Sequence, residues 1–272
     1  MKYKNVIAVI ALITAGVMML SACSKKELVI SGENNFSVKD SDTDGKLVVM
    51  TYNIKNCQDG EGILDIVSDI KKYNPDVVCV QEVDNGTRRS KKQNILKLLA
   101  EELNMNYCFF PAINFRGGLY GIGIMSTFPL ENCHMQPLEI REEDEGRVLA
   151  SADIKTPKKT VHIFNTHLSF ENKESRLKQI KYLNDMLKDK DSFVLTGDFN
   201  ISGFEEYAPL EGMNAVNTAN NPFASFIGGD GNDGSFRAID NIFVSDNLKI
   251  GNIIFGQTSV SDHRPLIAEI EL

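Results

Sequence analysis

The sequence has no cysteine pair at the spacing of a zinc site and no excess of positive charge. None of its five cysteines forms a C-x-x-C arrangement, which argues against a structural zinc centre. The formal net charge is −8 at pH 7, so the chain is not built for tight, sequence-independent attraction to nucleic acid. The negative net charge does not exclude a nuclease, because basic residues can cluster locally and a divalent metal adds its own positive charge.

The chain begins with an apolar run that is short for a bilayer span. Residues 6–20 are apolar apart from one threonine and small residues, and they follow Lys2 and Lys4. Residues 20–23 read LSAC, which resembles a bacterial lipobox, with cleavage before Cys23 and lipidation of its thiol. A plain secretory signal and a transmembrane helix are the alternatives. We expect a signal peptide over 1–22, export, and anchoring to a bacterial membrane through Cys23.

The rest of the chain shows no internal break in composition. Residues 23–45 contain the lipidated cysteine and are otherwise dominated by Ser, Asn, Asp and Gly, as in a polar tether. Residues 46–272 are predicted to form one catalytic domain, and we expect a monomer. With 42% hydrophobic residues the chain can build one large core. An exported protein can hold disulfides, but the sequence does not pair Cys57, Cys79, Cys108 and Cys133.

The stretch 193–200, FVLTGDFN, is the strongest single pattern. A buried strand ends at Gly197, and Asp198 and Asn200 follow with one residue between them, so both can point into one cleft. Apolar spacing predicts helices over 62–73, 91–103 and 174–187. Strands are predicted over 47–53, 77–80, 107–113, 121–126, 133–138, 148–154, 161–165, 193–196, 239–244, 250–255 and 266–270. A long surface loop is predicted over 203–236, with one helical turn near Glu205. This order favours two packed sheets with helices outside.

Polar residues recur where the predicted strands end. Each alone has an ordinary explanation as a turn, cap or solvated strand end, but their coincidence predicts a shared rim. They are Asn53, Glu82, His167, Asp198, Asn200, Asp240, Asp262 and His263.

These residue types suit the hydrolysis of a phosphoester. Asn53, Glu82 and Asp262 offer oxygen ligands, which favour Mg²⁺ or Mn²⁺ over zinc. Asp198 could orient and activate the attacking water, and Asn200 could donate to the transition-state oxygens. His263 could contact the phosphate or move a proton, and Asp240 could fix the tautomer of His263.

Seven segments in this order resemble the endonuclease/exonuclease/phosphatase superfamily: TYNI, QEVD, YGIGIMS, NTHL, GDFN, IDNIFVS and SDHRPL. The similarity runs from about Leu47 to the C-terminus. It implies a four-layer α/β/β/α sandwich of two packed, largely antiparallel mixed sheets with helices outside. It also implies Glu82 as the central metal ligand, assisted by Asn53 and Asp262, and His167 as a second active-site histidine.

The sequence departs from this resemblance beside the predicted site. Many relatives carry Glu-Tyr-Gly after a glycine pair, whereas residues 117–121 read GGLYG, with Leu119 in place of the glutamate. Tyr120 is a candidate for binding a phosphate oxygen, with packing as the alternative. Arg116 is a second candidate substrate-binding residue. It lies near a basic cluster over 88–92 that could track a phosphate backbone or simply be solvated.

The superfamily resemblance leaves the substrate open. A lipid anchor favours a lipidic or small phosphodiester, which makes a phosphodiesterase-type hydrolase the preferred interpretation. An extracellular endonuclease or exonuclease, with nucleic acid as substrate only, is the first alternative. The second is a non-catalytic surface lipoprotein that kept the fold for binding.

Overall fold

Two β-sheets form the centre of the molecule. The computed structural model describes residues 28–36, 45–228 and 236–272. In chain order, the strands of the described residues are Ser31–Glu33 (β1), Lys46–Asn53 (β2), Val77–Asn85 (β3), Asn106–Phe115 (β4), Gly118–Ser126 (β5), Glu131–Pro137 (β6), Val148–Lys155 (β7), Thr160–His167 (β8), Phe193–Asp198 (β9), Met213–Ala215 (β10), Asp240–Ser245 (β11), Lys249–Phe255 (β12) and Leu266–Glu271 (β13).

The two sheets are mixed but largely antiparallel. The first has the order β1–β4–β5–β3–β2–β13–β12, and the second has the order β10–β11–β9–β8–β7–β6. Only the central pairs β2–β3 and β8–β9 are parallel among the described strands. A parallel pair needs a crossover connection, and in both cases a helix provides it. The central strands of both sheets therefore end at a common edge.

Three longer helices cover the outer faces: Ile63–Lys71 (α1), Ile95–Leu103 (α2) and Lys173–Leu187 (α3). Asn94 caps α2 by accepting a hydrogen bond from the backbone N–H of Lys97. The helix starts here, later than the sequence predicts, because Lys91 and Lys92 have positive φ and end any continuous helix upstream.

Apolar side chains pack in three layers between these elements. One cluster fills the space between the sheets, with Val49, Ile124 and Val194 among its members. A second lies between the first sheet and α1 and α2, and a third between the second sheet and α3. The order helix, sheet, sheet, helix confirms the predicted four-layer sandwich.

One polar side chain bridges the two sheets inside this core. Asn165 on β8 is buried, and its Nδ2 donates to the backbone oxygens of Val80 at 3.0 Å and Gly123 at 2.9 Å. Its Oδ1 accepts from Gln81 Nε2 at 2.7 Å. An amide buried in an apolar interface needs these partners, so Asn165 fixes how the first sheet sits on the second.

Several short elements differ from the sequence-based predictions. Ser31–Glu33, inside the segment predicted to be a polar tether, forms an edge strand paired with β4. The loop predicted over 203–236 contains the expected helical turn, a 3₁₀ turn at Phe204–Tyr207, and also strand β10, which was not predicted. A disulfide joins Cys108 on β4 to Cys133 near the start of β6, while Cys57 and Cys79 are buried free thiols.

No helix in the described part of the chain has the length and apolar character needed to cross a membrane. The predicted signal peptide over 1–22 and the predicted lipidation site Cys23 lie outside the described residues.

Candidate active site

Three strand ends of the second sheet bring polar side chains side by side. His167 is the last residue of β8 and Asp198 the last of β9, and the two residues are register partners in the parallel pair. Asp240 begins β11 and is the antiparallel partner of Asp198. All three are buried, with His167 Nε2 3.5 Å from Asp198 Oδ2. Strand pairing thus sets these side chains at one level of the sheet.

His263 links this row to the loop before β13. Its Nδ1 lies 2.8 Å from Asp240 Oδ2, and its Nε2 lies 3.7 Å from Asp198 Oδ2. Although burial alone would lower it, the two carboxylates raise the pKa of His263 to about 10. The imidazole is therefore protonated at neutral pH and donates from Nδ1 to Asp240.

Asp198 is the most perturbed carboxylate of the group. Burial, and then the charge of Asp240, raise its pKa, while His263 and a hydrogen bond from Asn53 oppose the rise. The backbone N–H of Asn200 also donates to Asp198 Oδ1 at 3.0 Å. Asp198 is thus held in place on both oxygens and titrates closer to neutrality than an ordinary aspartate.

Asn53, at the end of β2, joins the two sheets. Its Nδ2 donates to Glu82 Oε1 at 3.0 Å and to Asp198 Oδ2 at 3.1 Å. Its Oδ1 accepts from the backbone N–H of Lys55 at 3.1 Å, which fixes the orientation of the amide. The structure thus turns the amide nitrogen of Asn53 toward the carboxylates, and its role as a metal ligand stays a prediction.

Glu82 sits on a bulge inside β3, not at a strand end as the sequence suggests. The pairing with β5 shifts between Val80 and Val83, and Glu82 has a φ of 59°. A non-glycine residue with positive φ is uncommon, and such bulges re-aim a side chain. Here Glu82 is half-buried and lines a cavity of about 440 Å³ together with Asp262.

A lysine ammonium already contacts one of these two acids. Lys55 Nζ is 2.9 Å from Asp262 Oδ2. The pKa of Lys55 is raised by its hydrogen bond to Asp262 and further by the charge of Glu82. The two half-buried carboxylates therefore create a position that attracts a cation. All-oxygen donors facing solvent fit a hard divalent ion that keeps several waters.

A second group of side chains also has metal-binding spacing. One ligand atom each from Asp198, Asp240 and His263 lie within 4.8 Å of one another, and Asp240 Oδ1 is buried without a hydrogen-bond partner among the described residues. The facing atoms of this group are, however, already engaged in mutual contacts. We favour the Glu82–Asp262 position, because a metal there displaces only an exposed lysine.

The other predicted residues divide between the cavity and the surface. Tyr120 and Asn200 line the cavity, and Asn200 Nδ2 donates to the backbone oxygen of Leu168 at 3.0 Å. Arg116 is exposed, packs over the ring of Phe115 and is not among the cavity-lining residues. Leu119, at the position of the missing glutamate, packs in the core on the helix side of the first sheet.

The sequence reading missed Glu145, Arg147 and Phe170, which also line the cavity. The sequence does contain a pattern that predicts the position of Arg147. The short connection over 156–159 makes β7 and β8 an antiparallel hairpin, so the start of β7 must lie beside the end of β8. Arg147, just before β7, therefore had to lie near His167.

The comparisons with known proteins agree with this fold. The sequence profile of the Endonuclease/Exonuclease/phosphatase family matches residues 50–263. Among solved structures, an endonuclease/exonuclease/phosphatase from Beutenbergia cavernae DSM 12333 has a TM-score of 0.68 at 19% identity, covering 84% of this chain and 72% of that one. No match to the sequence was found among curated proteins.

Two further similar structures have names that state an activity or a bound anion. The mannosyl-6-phosphatase of Bacteroides thetaiotaomicron VPI-5482 has a TM-score of 0.63 at 17% identity, covering 83% of this chain and all (100%) of that one. The human Nocturnin catalytic domain with a bound sulfate anion has a TM-score of 0.65 at 19% identity, with 83% and 94% covered. At these identities the likeness concerns the fold.

The fold and the matching profile together define a phosphoesterase-type α/β sandwich. The chain belongs to the endonuclease/exonuclease/phosphatase family, whose members are phosphoester hydrolases.

Proposed function

We propose that this protein is a divalent-metal-dependent phosphoester hydrolase of the phosphodiesterase type. One observation carries the proposal: a single cavity is lined by the acidic pair Glu82 and Asp262 and by the buried pair Asp198 and His263. The first pair suits a cation, and the second suits proton transfer beside it. Hydrolysis at phosphorus needs both within reach of one substrate group.

Glu82 and Asp262 are the residues that would hold Mg²⁺ or Mn²⁺, and Asn53 would brace Glu82 through its amide. The ion would polarise a phosphoryl oxygen and offset charge on the leaving group. Asn53 Oδ1 accepts a hydrogen bond from the backbone N–H of Lys55. Asn53 can therefore bind the ion directly only if its side-chain amide rotates so that Oδ1 faces the ion. Lys55, whose ammonium contacts Asp262, would have to leave that carboxylate for an ion to bind there.

Asp198 would take the proton of the attacking water. Its raised pKa brings it close to the operating pH, which favours general base catalysis, and hydrogen bonds to both of its oxygens hold it in place. His263 is protonated and oriented by Asp240, so it can donate to a phosphoryl oxygen. His167, whose pKa burial lowers well below its usual value, stays neutral beside Asp198.

Asn200 and Tyr120 would complete the contacts to the phosphoryl group. Both line the cavity, and the phenol of Tyr120 keeps its proton because burial raises its pKa well above the ordinary value. A neutral phenol can donate to an anionic oxygen. Asn200 must first release Leu168, because its amide donates to that backbone oxygen.

We further propose a small or lipidic phosphodiester as the substrate and a position at the membrane surface. A cavity of about 440 Å³ suits a small ester or a head group better than a duplex. The basic start and the LSAC segment at residues 20–23 support export and lipid anchoring at Cys23 of a protein acting as a monomer. Extracellular nucleic acid is the alternative substrate, for which the exposed arginines 88 and 116 offer backbone contacts.

The test is hydrolysis of bis-p-nitrophenyl phosphate by the purified full chain with Mg²⁺ or Mn²⁺. Asp198→Ala and His263→Ala should each lower kcat/KM by about a thousandfold or more, because each removes a group that acts on the reacting atoms. Asp246→Asn, an exposed acid in the turn after β11, is the matched control. Wild-type activity that persists in both variants rejects the proposal. Parallel assays with DNA, RNA, sphingomyelin and phosphoinositides identify the substrate.

A further inference from the structure

Arg147 is a buried arginine whose donors are not all used. It precedes β7, and its side chain is 2% exposed. Its Nη1 lies 2.9 Å from Glu145 Oε1, and its guanidinium lies over the ring of Phe170, 5.8 Å from the centroid. Its Nε is buried and has no hydrogen-bond partner among the described residues. A charged donor that is buried without a partner is unfavourable, so this arrangement needs a reason.

A second buried arginine, Arg176, has a hydrogen-bond acceptor for each of its three side-chain nitrogens. Arg176 on α3 donates from Nε and Nη2 to Glu206 at 3.0 and 3.1 Å. It also donates to Ser202 Oγ at 2.8 Å and to the backbone oxygen of Ser169 at 3.3 Å. Arg176 lies away from the cavity and joins α3 to the turn at Phe204–Tyr207. Arg147 is buried to a similar degree, but its Nε lacks a hydrogen-bond partner among the described residues, and it lines the cavity.

The position of Arg147 complements the acidic pair. Arg147, Tyr120 and His167 line both the active-site cavity and a separate small void. After burial, the charge of Arg147 is the next cause that lowers the pKa of His167, so the guanidinium lies close to this imidazole. The cavity is thus lined both by the acids Glu82 and Asp262, which suit a cation, and by a guanidinium, which suits an anion.

We propose that Arg147 binds the non-bridging phosphoryl oxygens of the substrate in this cavity. Guanidinium donors match the geometry of phosphoryl oxygens. Because Nε is buried, the side chain must shift toward the cavity before Nε and a neighbouring Nη can contact two of them. Glu145 holds the side chain in this place and competes with the substrate for its donors. The inference rests on the proposed function and extends it, since it names the residue that recognises the phosphoryl group.

Binding of inorganic phosphate tests this separately from turnover. Isothermal titration calorimetry in Mg²⁺ should show phosphate affinity about 10- to 100-fold lower for Arg147→Met than for wild type, the loss expected for charge-assisted hydrogen bonds. KM for a phosphoester should rise by a similar factor while kcat changes less, because the contact exists in the bound substrate as well. Arg141→Met is the matched control, since Arg141 is half-exposed and pairs with Asp144 outside the cavity.

Two additional variants separate binding from a structural role. Glu145→Gln should strengthen phosphate binding by about threefold or more, and this gain should vanish in the Arg147→Met background. Arg147→Lys keeps the charge without the planar fork, so it should fold and still lose about fivefold or more in affinity. If Arg147→Met unfolds, these two variants carry the test.

The outcomes are distinct. Unchanged phosphate affinity in Arg147→Met or Arg147→Lys overturns the assignment, as does a wild type that binds no phosphate. A wild type that binds phosphate through Arg147 but hydrolyses no phosphoester supports the assignment and rejects the proposed function instead.

Discussion

Asn53 and Asp198, from different sheets, are joined by a hydrogen bond of 3.1 Å between the amide nitrogen and the carboxylate. They are 145 positions apart in the sequence, and each lies at the end of a central strand. Because the same amide also donates to Glu82, it ties the proposed metal-binding acid to the proposed general base. The position of Glu82 relative to Asp198 is therefore set by the side chain of Asn53.

The rate of phosphoester hydrolysis should rise with pH through the neutral range. Asp198 must be ionised to accept a proton, and burial with the charge of Asp240 raises its pKa to about 7. Since a bound cation favours the ionised form, a higher metal concentration should move the midpoint to lower pH. A profile of kcat/KM from pH 5 to 9 at two Mg²⁺ concentrations checks both signs. A rate that falls from pH 6 to 8 contradicts this role.

Replacing Asn53 by alanine should move the same midpoint upward. The amide donates to ionised Asp198 and lowers its pKa, so its loss should raise the midpoint by about one pH unit. Activity should persist at high pH, because the base itself is retained. The matched control is Asn214→Ala, an exposed asparagine on β10. An unchanged or lowered midpoint in Asn53→Ala shows that the hydrogen bond does not control Asp198.

Replacing Lys55 by methionine should strengthen metal binding. The ammonium contacts Asp262 and repels any cation that approaches Glu82 and Asp262, so its removal should raise Mn²⁺ affinity about tenfold. Binding can be measured by titration with electron paramagnetic resonance detection, without substrate. Lys72→Met is the control, because Lys72 is about equally exposed and pairs with Asp69 far from the cavity. Equal affinities for wild type and Lys55→Met place the metal elsewhere.

Replacing Asn165 by alanine should destabilise the whole fold. The substitution leaves the backbone oxygens of Val80 and Gly123 and the amide of Gln81 without their buried partner. We expect a loss of about 2–4 kcal/mol in the free energy of unfolding. Urea denaturation followed by circular dichroism measures it. Asn214→Ala is the control and should cost less than about 0.5 kcal/mol, because Asn214 is exposed and its side chain donates only to Asp246 among the described residues. A small effect at Asn165 would mean that apolar packing alone aligns the sheets.

The sequence predicted the long elements well because their patterns are local. The run over 193–196 before Gly197, and the apolar spacing that defines α1, each carry enough periodicity to identify a strand or a helix. The three-residue strands β1 and β10 have no such pattern, since pairing with β4 and β11 is what makes them strands. They could not be predicted from local residues alone.

The site was predictable as a set of residues but not as a geometry. Strand ends identified His167, Asp198 and Asp240, because the ends of neighbouring strands meet at one edge. The bulge that carries Glu82 depends on pairing with β5, which no local signal reveals. The amide orientation of Asn53 depends on a backbone N–H two residues later and on acids from both sheets.

The position of the divalent cation tests the central claim most directly. Crystals of the full chain soaked with Mn²⁺ should give one anomalous scattering peak beside Glu82 and Asp262. Each of these carboxylates should bind the ion either directly, at about 2.0–2.6 Å, or through a bound water at a longer distance. The Lys55 ammonium should have moved away from Asp262. A peak among Asp198, Asp240 and His263 instead, with Lys55 still on Asp262, would contradict the account.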